Sequence, residues 1–386
     1  MKYREIGKTG KKISTISFGC MRLPVLDGDN TKIDEEHATK MIHYAYEKGV
    51  NYYDTAYPYH GNGFNNHGQS EYFLGNALKE IRDKVYIASK LPSWLVKSRE
   101  DMDKFLDEQL EALQTDYIDF YLLHTLSEHN YEELKKHDVF DFLEKAKSSG
   151  KIKHIGFSFH DVYPAFEEII NDYDWEFCQV QYNILDQDYQ AGTKGIRLAN
   201  KKGIGVIVME PLRGGRILEI KEKAVQVLAE CNPDRSLVDW ALSWIFNDEG
   251  VSTVLSGMST LEQTIENMKI AEKSAANDMS SSELLALDRV IKSMNESIQI
   301  PCTSCGYCSP CPEGVDIPMC FSHYNNYYFF EDNKRAQKSA AFQYDFRTPE
   351  ENQAAACVGC LKCEEHCPQN IKISEELKKV DELFKG

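Results

Sequence analysis

Two short cysteine runs near the C-terminus are the first candidates for chemistry in this 386-residue chain, because they hold eight of its twelve cysteines. The runs read CTSCGYCSPC over residues 302–311 and CVGCLKCEEHC over residues 357–367, and a proline follows each. Closely spaced thiolates are soft ligands that suit iron, and the C-x2-C-x2-C-x3-C-P spacing of the second run is typical of four-iron cluster ligands. The first run is one residue shorter before its last cysteine. The spacing therefore predicts 4Fe-4S clusters.

The number of clusters depends on how the two runs share their ligands. In two-cluster domains the fourth cysteine of each run ligates the other cluster. On that pattern the sequence predicts one cluster held by Cys302, Cys305, Cys308 and Cys367, and a second held by Cys357, Cys360, Cys363 and Cys311. A single cluster on the second run, aided by Cys320, is one alternative, and tetrahedral zinc sites are another. The triplets followed by Cys-Pro favour iron–sulfur cubanes over zinc.

The rest of the chain predicts the elements that position a second site. Between about residues 13 and 272, short β-branched or apolar runs alternate with amphipathic helical patterns. The predicted strands lie at residues 13–19, 50–56, 84–90, 117–125, 152–159, 177–184, 205–211 and 251–258. Eight strand–helix units in about 250 residues predict an α/β fold, a closed parallel (β/α)8 TIM barrel. The alternative is an open doubly wound sheet, but FGCMRLP (18–24) lacks the glycine-rich fingerprint of that fold.

Segments outside the strand–helix units complete the predicted architecture. Residues 1–12 are expected to form a hairpin that closes one end of the barrel, and a last helical pattern at 282–294 leads into the first cysteine run. We therefore predict a barrel domain over residues 1–295 and a small, mostly helical, iron–sulfur domain over residues 296–386.

Four polar side chains are expected to meet at the carboxyl ends of the barrel strands, where barrel enzymes place their chemistry. Asp54, Lys90 and His124 stand at the ends of three consecutive predicted strands, and Tyr59 follows Asp54 by five residues. Each residue alone has an ordinary structural explanation. Together they suit the addition of hydride to a carbonyl, because the negative charge that develops on oxygen needs a proton donor and hydrogen bonds.

The motifs around these residues resemble those of the aldo-keto reductase family over roughly residues 1–295. They read DTAYPY (54–59), ASK (88–90), LLH (122–124), GFS (156–158), QVQYN (179–183) and EPL (210–212). The resemblance implies that Tyr59 is the proton donor, with Asp54 and Lys90 as its partners, and that His124 orients the substrate carbonyl. We expect the Lys90 ammonium to lower the pKa of the phenol, and Asp54 to keep the lysine charged and in place.

The same resemblance implies a nicotinamide cofactor, NAD(H) or NADP(H). The residues implied to contact it are Ser158 and Gln179 at the carboxamide, Pro211, Leu212 and Gly214 at the pyrophosphate, Gly257 and Gln263 at the adenosine ribose, and Asn267 at the adenine. NADP-preferring relatives carry cations where Gly257 and Gln263 stand, and a 2′-phosphate without a cation partner binds poorly. We therefore expect a preference for NAD. Two departures from the family pattern are Met209, in place of a stacking aromatic ring, and a long loop at 60–71.

Composition and charge narrow the range of partners. A hydrophobic fraction of 42% with 27% charged residues is typical of a soluble globular protein. The net charge of −17 argues against nucleic acid or an anionic membrane surface as a partner. No apolar run reaches the roughly 18 residues of a membrane span, and the N-terminus lacks the apolar core of a signal peptide. We expect a cytoplasmic protein whose clustered thiols bind metal instead of forming disulfides.

Three function classes remain open. The C-terminal runs resemble those of aldo-keto reductases that carry a ferredoxin-like domain. The first class is an NAD(P)-dependent reductase or dehydrogenase of a small carbonyl or alcohol substrate. The second is an electron-transfer protein that couples the clusters to a ferredoxin or flavoprotein partner. The third is a regulatory subunit that binds the cofactor but turns over little.

Overall fold

A computed structural model describes residues 1–63, 65–219, 222–295, 298–302, 308–329, 334–365, 367 and 369–385. The chain divides into two compact units. One comprises Met1–Gly214 and Val238–Met279, and the other comprises Gly215–Leu237 and Ser280–Gly386. Because each unit is assembled from two separate segments, the predicted division after residue 295 stays a prediction.

The first unit begins with a two-stranded antiparallel hairpin, β1 (Tyr3–Glu5) and β2 (Lys12–Ser14). The turn between the strands carries Gly7 at a φ of +50°, and a Cβ at this residue would lie 2.3 Å from the backbone nitrogen of Gly205. Only glycine allows such a close approach of two backbone segments. The hairpin that the sequence predicts is therefore present.

Eight parallel strands form a closed barrel in the same unit. They are β3 (Ile16–Gly19), β4 (Tyr52–Asp54), β5 (Tyr86–Leu91), β6 (Ile118–Leu126), β7 (Ile152–Phe159), β8 (Phe177–Gln181), β9 (Gly205–Met209) and β10 (Thr253–Ser256). The ring runs β10–β3–β4–β5–β6–β7–β8–β9, and β9 pairs with β10 to close it. The predicted (β/α)8 class is confirmed, and the open doubly wound sheet is excluded.

Helices follow the strands, as the alternating pattern predicts. In chain order they are α1 (Glu35–Glu47), α2 (Ser70–Leu78), α3 (Arg99–Ala112), α4 (Glu128–Lys136), α5 (Val139–Ser148), α6 (Tyr163–Asp172), α7 (Gly192–Lys201), α8 (Glu222–Cys231), α9 (Leu237–Asn247), α10 (Leu261–Lys273) and α11 (Ser281–Asn295). Local sequence fixes several of their starts. Ser98 and Asp101 form a reciprocal capping box at α3, and Thr260 caps α10. Helices on the outer face explain why the strands are apolar on both sides.

The barrel interior is filled from the end where the hairpin lies. Ile6 and Ile13 of the hairpin are fully buried among inward-facing barrel residues, which include Tyr52, Phe120 and Phe177. This packing leaves the carboxyl ends of the strands as the place for a pocket.

The second unit is mostly helical, as predicted for the C-terminal region. After α8 and α11 it continues with α12 (Ile317–Phe329), α13 (Lys334–Arg347), α14 (Lys362–Glu365) and α15 (Ile373–Lys385). Its small core contains Ile300, Phe321, Tyr344, Leu377 and Val380. Across the described ranges of the chain, no helix is both long and apolar enough to cross a membrane.

Candidate active site

A buried ion pair marks the carboxyl ends of β4 and β5. Asp54 is the last residue of β4, and Lys90 lies on the neighbouring strand β5 with no exposed surface. The Lys90 Nζ donates hydrogen bonds to Asp54 Oδ1 at 2.7 Å, to Asp54 Oδ2 at 2.8 Å and to the Thr55 carbonyl oxygen at 2.7 Å. An ammonium has three protons, so these contacts satisfy it and offset the cost of its burial.

Tyr59 and His124 complete the group that the sequence predicts. The Lys90 Nζ lies 5.0 Å from the centroid of the Tyr59 ring. The centroids of the Tyr59 and His124 rings are 6.0 Å apart at an interplanar angle of 74°. The three Lys90 hydrogen bonds go to Asp54 and Thr55, so the ammonium faces the Tyr59 ring without donating to its hydroxyl. The structure thus brings together the four residues predicted to be catalytic.

Burial is the largest cause of the pKa shifts of Tyr59, Asp54 and His124. It raises the pKa of Tyr59 well above 10, and the Asp54 charge raises it further. The expectation that Lys90 lowers this pKa is therefore wrong, because burial and the Asp54 charge raise it. Burial also raises the pKa of Asp54, against the charge and hydrogen bond of Lys90, which lower it. Burial, reinforced by the Lys90 charge, lowers the pKa of His124 well below 6.5. At neutral pH the phenol keeps its proton and the imidazole is neutral.

The residues predicted to hold a carboxamide lie side by side on β7 and β8, where Ser158 pairs with Gln179. The Ser158 hydroxyl accepts a hydrogen bond from the Thr125 backbone N–H at 2.8 Å. The Gln179 amide donates to the Met209 sulfur at 3.5 Å, whereas its carbonyl oxygen Oε1 is buried without a hydrogen-bond partner. An unpartnered buried acceptor is costly, so Gln179 fits a ligand that donates an N–H there.

The loop after β9 is held in an unusual backbone conformation. Glu210 and Arg213 have φ angles of 54° and 46°, a region that non-glycine residues rarely occupy, and Gly214 follows at 66°. Two contacts hold the loop. Asn183 Nδ2 donates to the Glu210 carbonyl oxygen at 3.1 Å, and the Arg213 Nε lies 3.1 Å from an Asp186 carboxylate oxygen. Pro211, Leu212 and Gly214, the predicted pyrophosphate residues, thus lie on a preorganised loop.

The predicted adenosine contacts lie where β10 passes into α10. Asn267 is buried on α10 and donates to the Ser256 hydroxyl at 2.9 Å. The Gln263 side-chain oxygen Oε1 accepts a hydrogen bond from the Ser259 backbone N–H at 2.8 Å, in the first turn of the same helix. Gly257 is the residue directly after β10. The structure therefore places all three residues at one end of the barrel.

Three features of the site were not predicted from the sequence. Trp94 donates through its ring nitrogen to Asn65 at 3.2 Å and lies 5.3 Å from the His124 ring, so it ties the loop at 60–71 to the pocket. Glu71 is fully buried, accepts hydrogen bonds from Gln109 at 2.8 Å and from the hydroxyl of Ser89, the residue before Lys90. Arg22 follows β3, and its Nη2 lies 2.7 Å from where a Cβ of Gly214 would be. In the sequence, Arg22 was noticed only as part of FGCMRLP (18–24), the segment that was searched for a glycine-rich fingerprint.

The second unit gathers several of the predicted cluster ligands. Cys302, Cys308, Cys311, Cys357, Cys363 and Cys367 pack against its core, and Cys360 is exposed. Burial raises the pKa of Cys363 to about 11, and repulsion from nearby Cys357 and Cys311 adds to it. A thiol of the first run and one of the second are therefore near enough to Cys363 to influence its titration. Cys305 is outside the described residues, and among the described ones no three side chains are placed to hold a metal ion.

Cys320 belongs to the core of this unit. It is fully buried on α12, its sulfur donates to the Asn352 carbonyl oxygen at 3.8 Å, and burial raises its pKa to about 12. A soft thiolate donor set on the two runs fits iron–sulfur clusters, whereas Cys320 is already engaged in packing.

Comparison with known proteins agrees with both parts of this description. The model of the Aldo/keto reductase family matches residues 15–289, and that of the 4Fe-4S dicluster domain matches residues 301–371. L-galactose dehydrogenase of Arabidopsis thaliana is 25% identical over 324 residues, which cover 76% of this chain and 95% of that protein. The 6-dehydroglucose reductase of Novosphingobium aromaticivorans is 27% identical over 271 residues, 67% of this chain and 81% of that protein.

Solved structures show the same likeness. An aldo-keto reductase from Bacillus halodurans, in its holo form, aligns with a TM-score of 0.62 and 26% identity. The alignment covers 75% of this chain and 96% of that protein.

Proposed function

This chain belongs to the aldo/keto reductase family of oxidoreductases and carries a 4Fe-4S dicluster domain, and from that premise we propose its reaction. It transfers hydride between a nicotinamide cofactor and an aldehyde or ketone, or the corresponding alcohol, with Tyr59 as the proton donor. The observation that carries this proposal is the buried Lys90–Asp54 pair beside Tyr59 and His124 at the carboxyl ends of the strands.

Each residue of the group has a distinct part in the reduction. The bound nicotinamide supplies the hydride. Tyr59, protonated at neutral pH, gives its proton to the carbonyl oxygen as negative charge develops there. The Lys90 ammonium then stabilises the phenolate that Tyr59 becomes, and Asp54 with the Thr55 carbonyl holds that ammonium in place. Neutral His124, whose Nδ1 is buried without a partner, orients the carbonyl by a hydrogen bond.

The low pKa of His124 predicts how the rate depends on pH. The ring is neutral above its lowered pKa, so kcat/KM for carbonyl reduction should show no inflection near the ordinary histidine value of about 6.5. The check is a rate profile from about pH 5.5 to about pH 8. An inflection near 6.5 that disappears in His124→Asn would contradict a buried neutral imidazole.

We assign the nicotinamide carboxamide to Ser158 and Gln179, because the unpartnered Gln179 Oε1 suits its N–H. The 211–215 loop covers the pyrophosphate, and Asn267 contacts the adenine. Gly257 and Gln263 stand beside the adenosine ribose, where neither supplies a cation to a 2′-phosphate.

We expect tighter binding of NADH than of NADPH for this reason. Titration of both cofactors at one salt concentration measures it directly. Gln263→Arg should then tighten NADPH binding by roughly 10- to 100-fold and leave NADH nearly unchanged, because a charge-assisted hydrogen bond to phosphate is gained. A wild-type protein that binds NADPH more tightly would mean that another cation meets the 2′-phosphate.

The substrate test begins with small carbonyl compounds. The names L-galactose dehydrogenase and 6-dehydroglucose reductase make sugar carbonyls and sugar lactols the first compounds to screen. Trp94 beside His124 supplies a flat apolar surface at the pocket, against which the apolar face of a sugar ring packs. Oxidation of NADH that depends on the added carbonyl supports the proposal, and no turnover of any carbonyl or alcohol opposes it.

Electron transfer is a second candidate function, favoured by the dicluster match at 301–371. Oxidation of NADH releases two electrons, and two clusters that each accept one electron suit this exchange with a ferredoxin or flavoprotein partner. Bleaching of the cluster absorbance by NADH under anaerobic conditions tests it. Cluster thiolates persist in a reducing compartment, which keeps the cytoplasm as the expected location. If NADH binds but neither the substrates nor the clusters react, the remaining hypothesis is a regulatory subunit.

A further inference from the structure

Arg22 lies on the barrel rim between the loops that follow β9 and β10. It ends the 3₁₀ turn Cys20–Arg22 directly after β3, which pairs with β10, and β10 pairs with β9. The guanidinium Nη2 lies 2.7 Å from the position that a Cβ of Gly214 would take. The Arg22 stem passes Gly257, whose Cβ would lie 3.4 Å from Cδ and 3.6 Å from Cγ. The side chain thus reaches from one loop to the other.

The backbone beneath this side chain is fixed on both sides. The Ser259 hydroxyl donates to the Arg22 carbonyl oxygen at 2.8 Å, and the Leu23 backbone N–H donates to His60 at 3.2 Å. A side chain that leaves a fixed backbone loses less conformational freedom when it binds a ligand. Arg22 is therefore preorganised although its side chain is exposed.

The charge of Arg22 has no counter-ion in the part of the chain that the structure describes, where no ion pair of this arginine occurs. This differs from Arg213 on the neighbouring loop, which pairs with Asp186. A guanidinium presents a planar fork of N–H donors that matches phosphate oxygens in two parallel hydrogen bonds. An unpaired arginine over a loop assigned to phosphate, in a chain of net charge −17, is suited to an anionic ligand.

Gly214 is the residue that lets the guanidinium approach this loop. Its φ of +66° disfavours any residue with a side chain, and a Cβ would push against the Arg22 Nη2 at 2.7 Å. The charged end of Arg22 therefore lies at the 211–215 loop, whereas only its apolar stem lies at Gly257.

We propose that Arg22 binds the pyrophosphate of the nicotinamide dinucleotide. The inference rests on the proposed cofactor-dependent function. It assigns the positive charge to the phosphates that NADH and NADPH share, because the guanidinium end lies at the loop assigned to the pyrophosphate. Arg22 therefore adds affinity for both cofactors and leaves the preference between them to Gly257 and Gln263.

The test is equilibrium binding of NADH and of NADPH to the full-length, cluster-replete protein, without substrate, followed by fluorescence. Arg22→Ala should raise both Kd values by roughly 10- to 100-fold and by the same factor, since a charge-assisted bidentate contact is lost. The dependence of Kd on salt should also become weaker. Arg22→Lys should recover part of the loss, because it keeps the charge but not the fork. Lys104→Ala, which removes an exposed charge from α3, is the matched control and should bind both cofactors as the wild type does.

Two results would overturn the assignment. Unchanged Kd values for both cofactors would show that Arg22 does not contact the dinucleotide. Weaker binding of NADPH alone would place the guanidinium at the 2′-phosphate and not at the pyrophosphate. Failure of the wild-type protein to bind either cofactor is a separate outcome, which rejects the proposed function and the inference with it. Equal melting temperatures and iron contents of the variants show that the fold is intact.

Discussion

Tyr59→Phe should lower carbonyl-reducing activity by about 10²- to 10⁴-fold while cofactor affinity stays nearly unchanged. The variant removes only the hydroxyl that would protonate the substrate oxygen. The ring remains 5.0 Å from the Lys90 Nζ and next to His124, so the charge pair and the pocket wall persist. The loss should therefore appear in kcat, because a proton given in the transition state contributes little to ground-state binding. Initial rates and an NADH titration on the same preparation measure both quantities.

Tyr57→Phe is the matched control for this experiment. It removes a hydroxyl from the same loop, two residues earlier. This hydroxyl donates a hydrogen bond to Glu108 at 3.2 Å, and Glu108 is not part of the catalytic group. Its activity should stay within about threefold of the wild-type rate, since it loses one partly buried hydrogen bond. If Tyr59→Phe keeps more than about a tenth of the wild-type rate, Tyr59 is not the proton donor.

Anaerobically purified protein should contain about eight irons per chain and little zinc, as two four-iron cubanes require. On the pattern of two-cluster domains, Cys311 and Cys367 each ligate the cluster of the opposite run. The electrostatic influence of Cys311 on Cys363, a thiol of the other run, supports this exchange for Cys311. Cys311→Ala and Cys367→Ala should each disturb the opposite cluster, and both should lower the melting temperature of the second unit, because metal binding and folding are coupled in small domains.

The control for the cluster experiment is Cys231→Ala, which removes a thiol of the second unit outside both runs. Its iron content should equal that of the wild type. About four irons in the wild-type protein would instead support a single cluster on the 357–367 run. Zinc in place of iron would eliminate the electron-transfer candidate. Metal analysis by mass spectrometry, with spectra of the reduced protein, distinguishes these outcomes.

The barrel was predictable from the regular alternation of strand and helix patterns and from the residue types of the strands. Each predicted run, such as 152–159 for β7, contains an observed strand or most of it, because β-branched and aromatic residues mark buried parallel strands. Only the strand limits differed. The run at 13–19 spans the end of β2 and all of β3. These two strands follow each other in one apolar stretch, so the sequence pattern shows no boundary between them. The four polar residues at the strand ends were predictable because topology alone brings parallel strand ends together.

The rest of the site depends on distances that sequence spacing does not encode. Arg22 approaches Gly214 across 192 positions of sequence, and no periodicity links the two. The direction of the Tyr59 pKa was missed for a similar reason. The depth of burial, which is the largest cause of the raised pKa, follows from packing around the whole pocket. Local patterns predict elements and their order, whereas electrostatics at the site depends on how far water is excluded.

The hairpin beneath the barrel also constrains the order of folding during synthesis. It precedes all eight barrel strands in the chain, yet Gly7 packs against Gly205, and Arg4 donates to the Asp248 carbonyl oxygen 244 residues later. Such distant partners give the chain a high contact order and slow loop closure. Ile6 and Ile13 therefore stay without their native cover until nearly the whole barrel has left the ribosome. During that interval their apolar surface is a candidate binding site for chaperones.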